Sequence, residues 1–179
     1  KKVLEEVRNY PWISDYELFF GEFMGNQYIL LFFPGVWSFE LFELYLPRSS
    51  WNPSSEVKAS TDFESYSGRK NYAFNTAGGY YATRLAILEH LNREKKQAGV
   101  LAIRIETPSY WAALGVWVCR ESIRKAINQK SLKFNTKEEL LNSAKSISKK
   151  KYKCDIDSLL KQSKLLRIVN TQKNLRDFF

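Results

Sequence analysis

Two stretches of this 179-residue chain, Gln27–Phe33 and Trp37–Leu46, carry apolar side chains at odd and even positions alike. Successive side chains of a strand point to opposite faces, so such a run is stable only inside a sheet covered on both sides. In Trp37–Leu46 one face carries Trp37, Phe39, Leu41 and Tyr45, and the other Phe42, Leu44 and Leu46. The chain must therefore supply two covering layers. With 44% hydrophobic and 15% aromatic residues it has the material for one well-filled domain.

Around these strands the pattern predicts a short helix over Val3–Arg8 stopped by Pro11, a strand over Asp15–Phe23, and a Gly25-Asn26 turn into the next strand. Pro47–Thr76 reads as a long polar loop, a length uncommon in compact domains unless functional. Gly78-Gly79 opens a helix to about Arg93, Val100–Glu106 is a strand, and a helix follows over about Ala112–Asn128. Thr136 with Glu139 fits a capping box, and Asp155 stands where it can cap a helix bearing Ile156, Leu159, Leu160 and Leu166. The expected fold is α+β: a mixed sheet covered by helices over 1–129, a basic helical C-terminal extension over 130–170, and a flexible peptide over 171–179. A start at Lys1-Lys2 without Met leads us to expect a piece of a longer protein.

The residue inventory excludes much chemistry. His90 is the only histidine, and Cys119 and Cys154 are the only cysteines, too far apart in sequence for a zinc-site spacing. They read as free thiols of a reducing compartment. The longest apolar run is about six residues, where a membrane span needs roughly twenty, so no membrane partner is expected. Charge is more telling. Of the net +9, a surplus of 8 falls in 128–179, where 13 Lys/Arg stand against 5 Asp/Glu. A basic face of this kind suits a polyanion, and DNA is the expected partner; a merely solvated surface is the competing reading. Lys145, Lys149, Lys150, Lys151 and Lys153 are the candidate phosphate contacts.

The last eight residues read Gln172-Lys173-Asn174-Leu175-Arg176-Asp177-Phe178-Phe179, the Gln-x-x-aliphatic-x-x-aromatic-aromatic pattern of peptides that dock on DNA sliding clamps. One tight helical turn from Leu175 gathers positions i, i+3 and i+4 on one side. Leu175, Phe178 and Phe179 then form one apolar plug, with the Gln172 amide free to bond a pocket rim. The competing reading folds both phenylalanines back onto the protein's own core.

Pro34-Gly35-Val36-Trp37-Ser38-Phe39-Glu40-Leu41, Trp51-Asn52-Pro53, Tyr66-Ser67-Gly68-Arg69, Gly78-Gly79-Tyr80-Tyr81-Ala82-Thr83-Arg84-Leu85-Ala86 and Leu114-Gly115-Val116-Trp117-Val118-Cys119-Arg120-Glu121 together resemble the archaeal Nre proteins. The resemblance covers most of Asp15–Ile127 and the tail, with little from Lys130–Asn170. It implies a DNA-damage-response protein that binds the archaeal clamp PCNA, in the cytoplasm and associated with the nucleoid. It also implies an upstream region that often carries a cysteine-rich zinc motif; no cofactor is expected within the present residues.

Within the core, Arg69, Gly78, Gly79, Arg84, Arg104 and Arg120 are candidates to converge on a nucleotide or DNA phosphate. Helix N-termini and glycine-exposed amides favour anions, and arginine supplies a bidentate fork. Tyr66, Tyr72, Tyr80 and Tyr81 can stack on bases. The plain alternative is that the glycines make turns, the tyrosines pack, and the arginines pair with Glu106 and Glu121. Glu40, Glu43, Glu106 and Glu121 are the acids available to a nucleic-acid-processing enzyme completed by residues outside the chain, although Glu40 and Glu43 face opposite ways on a regular strand. Trp37, Trp111 and Trp117 read as core anchors before a ligand platform.

Overall fold

The computed structural model describes residues 2–110 and 115–171. Its centre is a mixed sheet of six strands: β1 (Tyr16–Phe23), β2 (Asn26–Phe33), β3 (Ser38–Tyr45), β4 (Lys58–Glu64), β5 (Gly99–Glu106) and β6 (Leu132–Phe134). Their order is β4-β3-β5-β2-β1-β6, with β3 and β5 parallel and every other pair antiparallel. The helices are α1 (Lys2–Val7), α2 (Ala77–Glu94), α3 (Trp117–Ile127), α4 (Lys137–Lys151), α5 (Asp157–Gln162) and α6 (Lys164–Thr171). This is the α+β architecture the strand patterns demand.

Both faces of the sheet are covered. Phe19, Tyr28, Leu30, Phe32, Phe39, Leu41, Val100 and Ala102 pack against α1, α2 and α3. Leu18, Ile29, Leu31, Phe33, Phe42, Leu44, Leu101, Ile103 and Ile105 pack against Leu140 and Ala144 of α4, Leu159 and Leu160 of α5, and Leu165 and Leu166 of α6. The segment read as a basic extension thus lays its apolar stripe on the second face. Lys149, Lys150, Lys151, Lys153, Lys161, Lys164 and Arg167 stay on its exposed side. The split follows from amphipathic spacing, which turns one stripe of a helix inward and leaves the lysines outside.

Two strands escaped the pattern. β4 lies within the expected loop over Pro47–Thr76; as an edge strand with only Phe63 large and apolar, it gives no alternating signal. β6 has three residues, two of them exposed. Local turns also shift. Met24 (φ 51°) and Gly25 (φ 77°) form the β1–β2 turn and Asn26 enters β2, because a two-residue hairpin turn with both central residues at positive φ matches the twist of the strands. The Thr136–Glu139 capping box is present. Asp155 accepts the Asp157 amide at 2.8 Å, and the expected single helix breaks at Ser163 into α5 and α6. The onset expected near Ala112 for the preceding helix falls on residues 111–114, outside the described residues; α3 itself begins at Trp117.

Glu40 explains why α6 starts where it does. Buried on β3, its carboxylate accepts the Ser163 hydroxyl at 2.5 Å and the Lys164 and Leu165 amides at 3.1 and 3.0 Å. A carboxylate on a helix N-terminus meets both orphan amides and the macrodipole. Glu40→Ala is expected to lower unfolding free energy by about 2–3 kcal/mol, since buried donors lose their acceptor. Glu40→Gln keeps one acceptor oxygen and should recover about half of that loss. Urea denaturation of both variants measures it, and an alanine variant as stable as the parent would remove the cap from the account.

Candidate functional site

The parallel pair β3–β5 ends beside the N-terminus of α2, and a cleft of about 300 Å³ opens there. Glu43 and Tyr45 come from β3, Arg104 from β5, Gly78 and Gly79 from α2, and Val116 and Cys119 from the start of α3. Carboxyl ends of parallel strands are where open sheets generally hold ligands, because the chain splays apart there.

The floor is a buried ionic network. Arg104 donates from Nη1 to Glu43 Oε1 at 2.8 Å, from Nη2 to Glu106 Oε2 at 3.1 Å, and from Nε to Asn26 Oδ1 at 2.6 Å. The Tyr45 hydroxyl donates to Glu43 Oε2 at 2.8 Å. Strand register explains the assembly: Glu43 lies opposite Arg104, and Glu106 is flanked by Tyr45 and Asn26. Burial pushes the Glu106 carboxyl up to about 7, with the Arg104 cation and the Trp51 backbone amide opposing the rise and Glu43 adding to it. Burial likewise raises the Tyr45 hydroxyl and the Cys119 thiol, so that thiol is held in its unreactive protonated form.

Gly79 makes the network possible. A Cβ there would collide with Glu43 Oε1, so only glycine lets the carboxylate lie against the first turn of α2. The attraction of this helix N-terminus for an anion is thereby met by the protein's own Glu43.

The rim is aromatic, and two loops hold it. Asn52 is fully buried; its Nδ2 donates to the carbonyls of Tyr45 and Glu56, and its Oδ1 accepts from Ser54. That staple fixes the loop after β3 and presents Trp51 at the mouth. Arg69 donates to the carbonyls of Phe63, Asn71 and Tyr72 and pairs with Asp62 at 3.0 Å, which shapes the loop carrying Tyr72 and Phe74. Trp51 is 61% exposed and Phe74 77% exposed, unusual for large rings outside a binding surface.

The other candidates separate. Arg84 contacts both Glu64 oxygens at 2.9 Å and lies over Trp37, whose Nε1 donates to Glu64 at 2.7 Å. Arg120 and Glu121 sit on the outer side of α3, where Arg124 ties Glu121 to Glu89. Of the six phosphate candidates the fold brings together Gly78, Gly79 and Arg104, while Arg69 and Arg84 serve Asp62 and Glu64. Of the acids, Glu43 and Glu106 meet through Arg104; Glu40 faces the opposite layer. Tyr80 is buried, the Tyr72 and Tyr81 rings lean on each other at 4.8 Å between centroids with planes tilted by 36°, and Tyr66 lies half-exposed on the loop after β4. Trp37 is a core anchor, Trp117 is 44% exposed, and Trp111 lies outside the described residues. So do Gln172, Leu175, Phe178 and Phe179. Among the described residues no group of three or more His, Cys, Asp or Glu is arranged to hold a metal, and no helix is long and apolar enough to cross a membrane. Tyr45, Trp51 and Phe74 were invisible as site residues, the only hint being the Trp51-Asn52-Pro53 motif.

The family model described as archaeal Nre, C-terminal, matches residues 64–178, and the one described as archaeal Nre, N-terminal, matches residues 1–52. The chain belongs to the archaeal Nre family. The gap between the two Nre models, residues 53–63, takes in most of β4 within one continuous sheet, and the cleft takes residues from both sides of it. The segment 130–170, which carried little of the motif resemblance, lies inside the C-terminal Nre model. Relatives include the DNA repair protein NreA of Haloferax volcanii, 43% identical over 123 residues, which are 68% of this chain and 29% of that protein. The DNA repair proteins NreB and NreA of Archaeoglobus fulgidus are 35% and 37% identical over 141 and 142 residues, each 79% of this chain and 36% of the relative. The chain thus spans about a third of the length of these curated Nre relatives. No solved structure matches it.

His90 and Glu106 together set an expected pH signature for this Nre chain. Burial against Phe19 and Phe32 holds the His90 imidazole down at about 4, against 6.5 when free. Its contribution is complete above pH 6.5 and is lost as pH falls toward 4, because the unfolded chain takes up the proton first. Glu106 runs the other way. Its contribution is complete below about 4.5 and is lost as pH rises through 7, because the unfolded chain releases the proton first. The two slopes oppose each other between them. His90→Phe should leave stability falling from pH 4.5 to 7, and Glu106→Gln should leave it rising from 4 to 6.5. Urea midpoints at half-unit pH steps test this; identical profiles for the two variants would refute it.

Proposed function

We propose that this chain is part of a DNA-repair protein that docks on the sliding clamp PCNA through Gln172, Leu175, Phe178 and Phe179 and touches DNA through the exposed lysines of α4–α6. The observation that carries the reading is the docking pattern itself, which lies almost wholly within the 64–178 span of the family model. The relatives' names supply the repair context. The fold adds a physical basis for the DNA contact: α4–α6 turn their apolar residues to the sheet and leave seven Lys/Arg outward, while Lys137 is tied to Asn170 at 2.6 Å and Lys145 to Asp157 at 2.8 Å.

Titrating the chain with purified clamp tests the docking, with micromolar binding expected and no binding at high micromolar clamp overturning it. DNA contact is tested by duplex binding over a salt series. Four to six phosphate contacts predict a log–log slope of about −4 to −5. Changing Lys149, Lys150 and Lys153 together to Gln should flatten the slope by about 3. An unchanged slope would leave those lysines as solvated surface.

A second reading has one observation in its favour. A buried carboxyl held at about 7 and bonded to Arg104, which lines the cleft, is poised to give or take a proton at neutral pH, so acid–base chemistry on a nucleic-acid component is the alternative role for Glu106. Activity lost in Glu106→Gln with binding intact would establish it; equal turnover would dismiss it.

A further inference from the structure

We propose that a second pocket, at the opposite end of the sheet from the cleft, holds one ring of the Phe178-Phe179 pair when no clamp is bound, so that the tail parks on its own domain and is released to dock. The seating itself needs no clamp; its consequence for docking rests on the reading above.

The first argument is the pocket. It encloses about 180 Å³ between Phe33, Pro34, Val36, Tyr66, Ile168 and Val169. Ser38 and Gly99, the first residues of β3 and β5, also line it, which sets it at the far end of these strands from Glu43 and Arg104. Among the described residues no charged side chain lines it. Tyr66 is a braced wall: Arg8 lies over its ring at 4.9 Å from the centroid and donates to its carbonyl. An apolar cavity of about 150 Å³ takes up one benzene-sized molecule, so this pocket has room for one ring and not for two.

The second argument is position. Ile168 and Val169 belong to α6, which ends at Thr171. At 1.5 Å per residue, Val169 stands only about 3 Å along the helix axis from that end. Phe178 follows seven residues after Thr171, an extended reach of up to about 24 Å. The tail thus begins beside the pocket, has the length to turn back, and carries the apolar groups that the pocket suits. The cleft at the other end of β3 and β5 is lined by no residue of α6.

The third argument is the tether. A short linker holds its end at an effective concentration on the order of 1 mM, so a pocket that binds a ring at about 0.1–0.5 mM keeps parked over free at about 2–10 to 1. That is strong enough to cover a ring that is a liability in water, and weak enough for the clamp to win. The clamp captures only the free fraction, and its apparent affinity falls by that fraction.

Methyl NMR of the full chain, labelled at isoleucine and valine, reads the pocket through Ile168 and Val169. Both signals should move when Phe178→Ala and Phe179→Ala are combined, because a seated ring shields the methyls beside it. Clamp added to the parent should move them toward the same positions. Two further variants close the pocket from separate walls. Ser65→Phe fills it, and Ile168→Ser with Val169→Ser strips its apolar side; all three positions are at least partly exposed, so the fold should hold. Each should tighten clamp binding about three- to tenfold. Methyl signals unchanged by loss of the two rings overturn the proposal, and so does a clamp affinity unaltered in either pocket variant. Shifts that depend on chain concentration give the ring to a second copy and overturn parking within one chain. Methyl shifts as expected, with no clamp binding by any of the chains, sustain the seating and sink the docking, so the two readings fail separately.

Discussion

Arg104→Met is expected to lower unfolding free energy by about 3–5 kcal/mol. The side chain is 7% exposed, and its partners Glu43 and Glu106 are 3% and 1% exposed. Methionine fills much of the space but strands two carboxylates and the Asn26 carbonyl oxygen beneath the cleft. Removing one member of a buried ionic network costs far more than the network contributes in total, because the remaining charges keep their desolvation penalty. The cost should therefore shrink sharply when the charges go together. The triple change Arg104→Met, Glu43→Gln, Glu106→Gln is expected to recover at least half of the lost stability, a coupling that a double-mutant cycle reads directly. Arg104→Lys should fail almost as badly as Met, since one ammonium cannot span three acceptors in the plane that the guanidinium matches. Urea denaturation of these proteins, with the Glu43→Gln, Glu106→Gln variant completing the cycle, decides the matter. A loss below about 1 kcal/mol for Arg104→Met would mean that the network is hydrated and open, and the buried floor would have to be abandoned.

That network also shows what a linear reading reaches. The two-faced apolar runs of β2 and β3 dictated an interior sheet with two layers, and both layers are there. Arg104, Gly78, Gly79 and Glu106 stood out by residue type. Their meaning depended on β5 inserting between β3 and β2, which places Glu43 opposite Arg104 across 61 positions of sequence. No periodicity encodes that insertion. Gly79 read as phosphate-binding because glycine at a helix start exposes amides; in the fold it makes room for the protein's own carboxylate. Arg69 and Arg84 read as anion ligands for a similar reason, and Asp62 and Glu64, on a strand too polar to be seen, are the anions they hold. Sequence shows which groups carry charge, and the strand order decides which charges are spent on each other.

Phe178→Ala combined with Phe179→Ala is expected to weaken clamp binding by about 10²–10⁴-fold. Each buried ring is worth roughly 1.5–3 kcal/mol, so two together remove about 3–6 kcal/mol from a total near −8 kcal/mol for a micromolar complex. A micromolar complex should fall to a Kd of about 0.1–10 mM. Leu175→Ala should cost less, about ten- to thirtyfold, because an aliphatic side chain buries less area than a ring. Gln172→Ala removes one rim hydrogen bond, worth about 0.5–1.5 kcal/mol, and should cost three- to tenfold. This order, two rings over leucine over glutamine, belongs to a plug seated in a pocket; a basic tail held by charge would instead answer to salt and to Lys173 and Arg176. Calorimetry of the parent and the three variants against the clamp at two salt concentrations separates the cases. Should the double variant bind like the parent, the rings do not enter the clamp and the docking reading falls. Should its thermal midpoint drop as well, the rings belong to the protein's own core, the one place from which they could not reach a partner.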